Sequence, residues 1–289
     1  MLKCSIFKCF TSKMIPKIVV NKSEEISYMK IQNTTGVPIM KESHRKTEDK
    51  RTYILVHGAW HGSWSWKKVE NLMIDSGYRV IVPDLPSHGS NVDYAPKKEI
   101  SLNTYVSYIK NIVEKSDTKS VLVGHSMAGI IISQVAEEVP DLISDLVYVA
   151  AFIPRDGHSL FDEARNFKSA GVSKEMKVMA EDNVIEINKS HEVKSKFFNC
   201  CEEKDADYAL SLLEPEPFKP FADKLTLTDD RFGKVKKTYV ECSKDLAITV
   251  EDQRLMAERA KCRTVVIDTD HSPFLSTPSE LFQAITNNL

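Results

Sequence analysis

Ser120-Val121-Leu122-Val123-Gly124-His125-Ser126-Met127-Ala128-Gly129 reads as an apolar strand that runs into a sharp turn, with a strongly apolar helix after it over residues 130–138. A strand that is apolar at every position has both faces covered, as in a parallel sheet between two layers of helices. Turning from strand to helix within so few residues leaves little room for side chains. Gly124 and Ala128, two before and two after Ser126, are small enough to permit it, and the pattern is Gly-x-Ser-x-Gly with Ala at its last position.

Outward from this stretch the same alternation repeats. Tyr53-Ile54-Leu55-Val56 and Arg79-Val80-Ile81-Val82 predict two earlier strands, and residues 145–151 a later one. Helices are predicted over 64–76, stopped by Gly77, and over 101–116. The second has its apolar face at Leu102, Tyr105, Val106, Ile109 and Val113. From about 154 to 232 the texture changes to mainly helical, with turns at Glu214-Pro215-Glu216-Pro217. The alternation resumes with strands over 237–242 and 264–267 and helices near 249–260 and 278–287.

The expected organisation is therefore an N-terminal extension over 1–50, with a possible first strand at 26–32. An α/β core over 51–153 and 233–289 would follow, interrupted by a helical cap at 154–232. Lys8 and Lys13 break any apolar run long enough for a secretory signal, so the extension is expected to be loosely ordered. No run reaches the ~18–20 apolar residues of a membrane span. The formal net charge of −2 gives no reason to expect a nucleic-acid or membrane partner. The six cysteines show no zinc-site spacing and are read as free thiols in a reducing, cytoplasmic setting.

A serine hydroxyl is a weak nucleophile at neutral pH. It needs a base within hydrogen-bond reach and a carboxylate to orient that base. A nucleophile on such a turn is followed in the chain by its acid and then its histidine, each in a loop after a strand. Asp245 and His271 occur in that order, which makes Ser126, His271 and Asp245 the candidate catalytic residues. Asp268 and Asp270 compete for the acid role but lie close to His271 in sequence. Asp156 and Asp162 are weaker rivals. Asp245 has a second reading as a helix cap, and Ser126 and His271 have readings as a helix cap and a solvated loop residue.

Acyl transfer builds negative charge on a carbonyl oxygen, which backbone N–H groups stabilise. Met127, after the nucleophile, and Ala59, in the turn His57-Gly58-Ala59, are the candidate donors of an oxyanion hole. Gly58, Trp60, His125 and Phe152 are candidate pocket residues. His57, His61, His88 and His125 are also read as structural hydrogen-bonders, and Trp60 and Trp64 as core packing.

The stretch Tyr53-Ile54-Leu55-Val56-His57-Gly58-Ala59-Trp60-His61-Gly62-Ser63-Trp64 resembles the opening of the plant methylesterase and hydroxynitrile lyase family and its bacterial esterase relatives. The resemblance continues in Val82-Pro83-Asp84-Leu85-Pro86-Ser87-His88-Gly89, the turn at Ser126, Tyr239-Val240-Glu241-Cys242-Ser243-Lys244-Asp245 and Asp268-Thr269-Asp270-His271-Ser272-Pro273-Phe274. It implies the α/β-hydrolase fold, a mostly parallel sheet with helices on both faces, and hydrolysis of small carboxylic esters. It implies no cofactor and no metal, and a monomer or homodimer. Lyases of the family usually carry threonine at position 58 and lysine after the catalytic histidine. Gly58 and Ser272 point instead to an esterase. A lyase on the same residues and a non-catalytic ligand-binding receptor remain the alternatives.

Overall fold

Alternate residues of the first strand, β1 (Thr52–Val56), face opposite sides of one sheet. Tyr53 and Leu55 join one apolar cluster, Ile54 and Val56 the other. A continuous apolar run is what such double burial requires. The computed structural model describes residues 49–167 and 171–287. The stretch 26–32, expected as a strand, lies outside the described residues.

After β1 come α1 (Lys67–Asp75), β2 (Arg79–Ile81), α2 (Leu102–Glu114), β3 (Ser120–His125), α3 (Ala128–Glu138) and β4 (Ile143–Val149). Next are α4 (Leu160–Ala164), β5 (Met176–Met179), β6 (Val184–Ile187), α5 (His191–Phe197), α6 (Glu203–Leu212), β7 (Glu216–Pro217) and α7 (Lys219–Ala222). Then follow β8 (Lys236–Cys242), α8 (Val250–Arg259), β9 (Arg263–Ile267), α9 (Pro273–Ser276) and α10 (Pro278–Thr286).

Six strands form one sheet in the order β2-β1-β3-β4-β8-β9, and every pairing in it is parallel. Helices α2, α3 and α8 cover one face, and α1 and α10 the other. The five apolar positions expected on α2 are the five it buries. Ser101 caps that helix, accepting from the Thr104 N–H at 3.2 Å. Two boundaries move. The segment expected as a helix from 64 opens with a 3₁₀ turn over Ser63–Trp66, and α3 starts at Ala128, two residues earlier than expected.

The insertion between β4 and β8 corrects the expectation of a mainly helical segment in one respect. Besides α4 to α7 it holds a three-stranded antiparallel sheet, β5-β6-β7. β5 and β6 span four residues each, too short for periodicity to separate strand from helix. The turn between them ends at Asn183, whose φ of 52° is the left-handed region that Asn tolerates better than most residues. Among the described residues Cys200, Cys201, Cys242 and Cys262 are unbridged, and no helix is long and apolar enough to cross a membrane.

The register pairs Val56 with Gly124, His125 with Val149, and Cys242 with Ile267. The loops after these strands therefore leave the sheet at its carboxyl edge. Residues Ala59, Ser126, Phe152, Asp245 and His271 all lie in those loops. Ligands of open parallel sheets bind at this edge.

Candidate active site

Ser126 is the first residue beyond β3, and its φ of 51° lies in the left-handed region. A non-glycine residue held there stores on the order of 1–3 kcal/mol of strain. The neighbouring strand and loop hold it in place. Its N–H donates to Val149 O at 3.2 Å, and its carbonyl accepts from Phe152 N at 3.1 Å and Gly129 N at 3.2 Å. The turn favours glycine at 124, where a Cβ would crowd Ile132 Cδ1 at 2.9 Å and the Ala128 backbone at 3.0 Å.

His271 and Asp245 are joined by a hydrogen bond of 2.7 Å between Nδ1 and Oδ2. Both side chains are buried. Asp245 Oδ1 accepts from Ala247 N at 2.7 Å and Ile248 N at 2.9 Å, and Gln253 Nε2 donates to Oδ2 at 3.1 Å. These donors satisfy a buried carboxylate and orient it. With Nδ1–H donated to Asp245, Nε2 of His271 is the nitrogen left to take a proton.

The rival acids are engaged elsewhere. Asp270 accepts from Ser272 N at 3.0 Å, Ser276 Oγ at 2.8 Å and Cys200 N at 2.7 Å, so it ties the loop of His271 to the segment after α5. Asp268 is exposed and pairs with Lys244. Asp162 caps α4 with Ser159, and Asp156 accepts from Leu227 N.

Among the described residues, the N–H groups of Ala59 and Met127 donate no hydrogen bond. Ala59, Met127, Ser126 and His271 line one cavity of about 150 Å³. The loop carrying Ala59 is tied down on all sides. His57 Nδ1 donates to Gly58 O at 2.9 Å, and His61 Nδ1 donates to Ala59 O at 2.7 Å. Trp60, with φ of 63°, donates its N–H to Glu216 Oε2 at 2.9 Å and accepts from Glu214 N at 2.9 Å.

Three buried histidines around the site, His57, His61 and His125, are held below the ordinary histidine value. Burial, with His88 nearby, brings His57 down to about 4. Burial brings His61 down to about 3, against the pull of its bond to the Ala59 carbonyl. Burial and the neighbouring His271 push His125 well below the ordinary histidine value.

The cavity is walled by aromatic side chains, among them Trp60, Phe152, Phe161, Phe167, Phe197 and Phe221. Among the described residues, no Asp, Glu, Lys or Arg lines it. Trp60 and Phe152 thus stand where the sequence reading put them, but Gly58 and His125 do not line the cavity. His125 is fully buried and lies behind the base, its Nε2 donating to His271 O at 2.8 Å. Gly58 backs onto that ring, and a Cβ there would meet His125 Nδ1 at 2.7 Å and Ser126 Cβ at 3.0 Å. The cap phenylalanines were missed because nothing in their local pattern separates a cavity wall from ordinary core.

The chain matches the model of the Alpha/beta hydrolase family over residues 53–284. It is 30% identical over 250 residues to Methylesterase 9 of Arabidopsis thaliana, covering 79% of this chain and 94% of that one. It is 26% identical over 260 residues to polyneuridine aldehyde esterase of Rauvolfia serpentina, covering 84% and 97%. Among solved structures, a pyrethroid hydrolase from Sphingobium faniae JZ-2 superposes with a TM-score of 0.75 at 22% identity, covering 82% and 96%.

Proposed function

We propose that this chain, which belongs to the alpha/beta hydrolase family, hydrolyses small, uncharged carboxylic esters through an acyl-enzyme on Ser126. The observation that carries this reading is the Asp245–His271 hydrogen bond of 2.7 Å, with His271 and Ser126 on the wall of one cavity. The relatives named as esterases support ester cleavage as the reaction class.

In this mechanism Ser126 Oγ attacks the ester carbonyl while His271 Nε2 takes the hydroxyl proton. Asp245 holds the imidazole in the required tautomer and stabilises the imidazolium. The Ala59 and Met127 N–H groups receive the negative charge that develops on the carbonyl oxygen. As the tetrahedral intermediate collapses, His271 gives its proton to the departing alcohol. Water then attacks the acyl-enzyme by the same route and releases the acid. A wall whose described side chains carry no Asp, Glu, Lys or Arg and include many aromatic rings favours apolar or aromatic acyl and alcohol groups over ionised ones.

The geometry gives the lyase alternative no support. A threonine at 58 would clash with His125, and Ser272, where the lyases carry a lysine, is fully buried. We read residues 154–232 as a cap over the site.

The test is a panel of p-nitrophenyl and methyl esters, together with a fluorophosphonate label, on wild type and Ser126→Ala. Turnover and labelling in wild type, both lost in Ser126→Ala, are expected. A wild type that folds but neither labels nor turns over any ester would leave the receptor reading in place.

A further inference from the structure

Glu216 is a fully buried carboxylate that the mechanism above does not use. It stands in β7 of the cap, yet its partners all belong to the core. Oε2 accepts from Trp60 N at 2.9 Å and lies 3.1 Å from His88 Nε2, and Oε1 accepts from the Tyr105 hydroxyl at 2.7 Å. Burial pushes its pKa up, but His88 and the donors from Trp60 and Tyr105 outweigh that and hold it below the ordinary value. The group is an anion at neutral pH.

The contact with Trp60 N–H bears on the reaction. That N–H shares a peptide plane with the Ala59 carbonyl, and the carbonyl accepts a hydrogen bond from His61 Nδ1 at 2.7 Å. One peptide is therefore clamped at both ends. The preceding peptide is clamped at its Gly58 carbonyl by His57 Nδ1 at 2.9 Å and by the His61 N–H at 3.3 Å. The Ala59 N–H lies in this preceding plane, which meets the Ala59–Trp60 plane at the Ala59 Cα, so holding both planes fixes the rotation at Ala59 that sets the direction of its N–H. Trp60 itself sits at φ 63°, which an L-residue keeps only when its surroundings impose it.

We propose that Glu216 is a positioning residue that aims the Ala59 N–H at the developing oxyanion by clamping the Ala59–Trp60 peptide from the cap. The inference rests on the acyl-enzyme reading of Ser126. It makes the cap part of the oxyanion site: displacing β7 would withdraw the acceptor from Trp60.

The experiment compares wild type with Glu216→Met, which fills the space without an acceptor, and Glu216→Gln, whose amide oxygen can still accept from Trp60 N–H. The readouts are kcat and KM for p-nitrophenyl butyrate and inhibition by an aryl trifluoromethyl ketone, whose adduct with Ser126 carries an oxyanion. Losing the aim of one donor predicts a fall of about 30-fold in kcat for Glu216→Met, with KM within about twofold and inhibition weakened in parallel. Glu216→Gln is expected within about threefold of wild type, because it keeps the acceptor. A Glu216→Met enzyme with wild-type kcat, or a Glu216→Gln enzyme as slow as Glu216→Met, overturns the proposal. Should Glu216→Met not fold, Glu216→Asp draws the carboxylate back from Trp60 N–H, and a wild-type kcat there overturns it equally. Esterase activity that survives Ser126→Ala overturns the underlying reading as well, whereas Ser126-dependent turnover untouched by Glu216→Met overturns only the role of Glu216.

Discussion

The ring of His125 donates a hydrogen bond of 2.8 Å from Nε2 to the backbone carbonyl of His271. The residue before the proposed nucleophile thus holds the loop that carries the proposed base, across 146 positions of sequence. The two rings also pack with centroids 4.7 Å apart.

Removing that ring should cost both stability and rate. His125→Ala opens a cavity and leaves a buried carbonyl unpaired, at about 2–4 kcal/mol. The His271 loop then loses its anchor, and kcat should fall at least about tenfold, since small misplacements of a base are costly. Urea denaturation and ester kinetics measure the two effects. Unchanged kcat in a folded His125→Ala protein would show that the carbonyl bond does not position the base.

Asp245→Asn and Asp270→Asn should separate the two buried acids near His271. An amide at 245 cannot hold the imidazole in its working tautomer, and kcat should fall by about 10³–10⁴. An amide at 270 weakens the tie between the His271 loop and Cys200 without touching His271 Nδ1. Its main effect should appear in thermal stability, with kcat reduced about tenfold or less. Equal losses of kcat in both variants would contradict the assignment of Asp245.

The left-handed φ of 51° at Ser126 should be visible in stability. Glycine relieves the steric cost of that conformation, about 1–2 kcal/mol, against roughly 0.4–1 kcal/mol of added unfolded-chain entropy. Ser126→Gly is expected to be inactive and at least as stable as wild type, and more stable than Ser126→Ala. A Ser126→Gly protein that melts below Ser126→Ala would show that the turn is not strained.

Neutral buried histidines should make the fold sensitive to mild acid. Burial lowers His61 to about 3 and His57 to about 4, whereas in the unfolded chain each titrates near ~6.5. Below that value the unfolded state binds more protons than the folded one, so stability falls as pH falls until the folded-state value is reached. Each group contributes a slope of about 1.4 kcal/mol per pH unit between ~6 and ~4. His61→Gln, which can still donate to Ala59 O, should remove one such contribution. Denaturant titrations at several pH values read it directly, and an unchanged slope would mean that His61 is protonated in the folded protein.

The local sequence determined most of the core backbone, though not the small sheet of the insertion. Continuous apolar runs specify the strands, covered on both faces in β1 and β3 but largely exposed at the edges β2 and β9, and the small residues at 124 and 128 permit the turn that exposes Ser126. The apolar positions of α2 match its buried face one for one. The order of Ser126, Asp245 and His271 follows from where the strands end. Each of these is a property of neighbouring residues, or of their period, and can be read without knowing what packs against them.

Only the tertiary structure decided which side chains meet. Chain order and the closeness of Asp268 and Asp270 to His271 favoured Asp245 in the sequence, but only the structure shows the contact itself, a hydrogen bond of 2.7 Å spanning 26 positions. Gly58 and His125 read as pocket residues because they flank the nucleophile and the oxyanion loop, but they lie behind them. The cap phenylalanines of the cavity wall and the Glu216–Trp60 contact, 156 positions apart, left no local signal. Such contacts depend on strand order and register, which bring distant segments to one edge of the sheet. A residue's own neighbours along the chain carry information about its conformation and burial, and almost none about its partner.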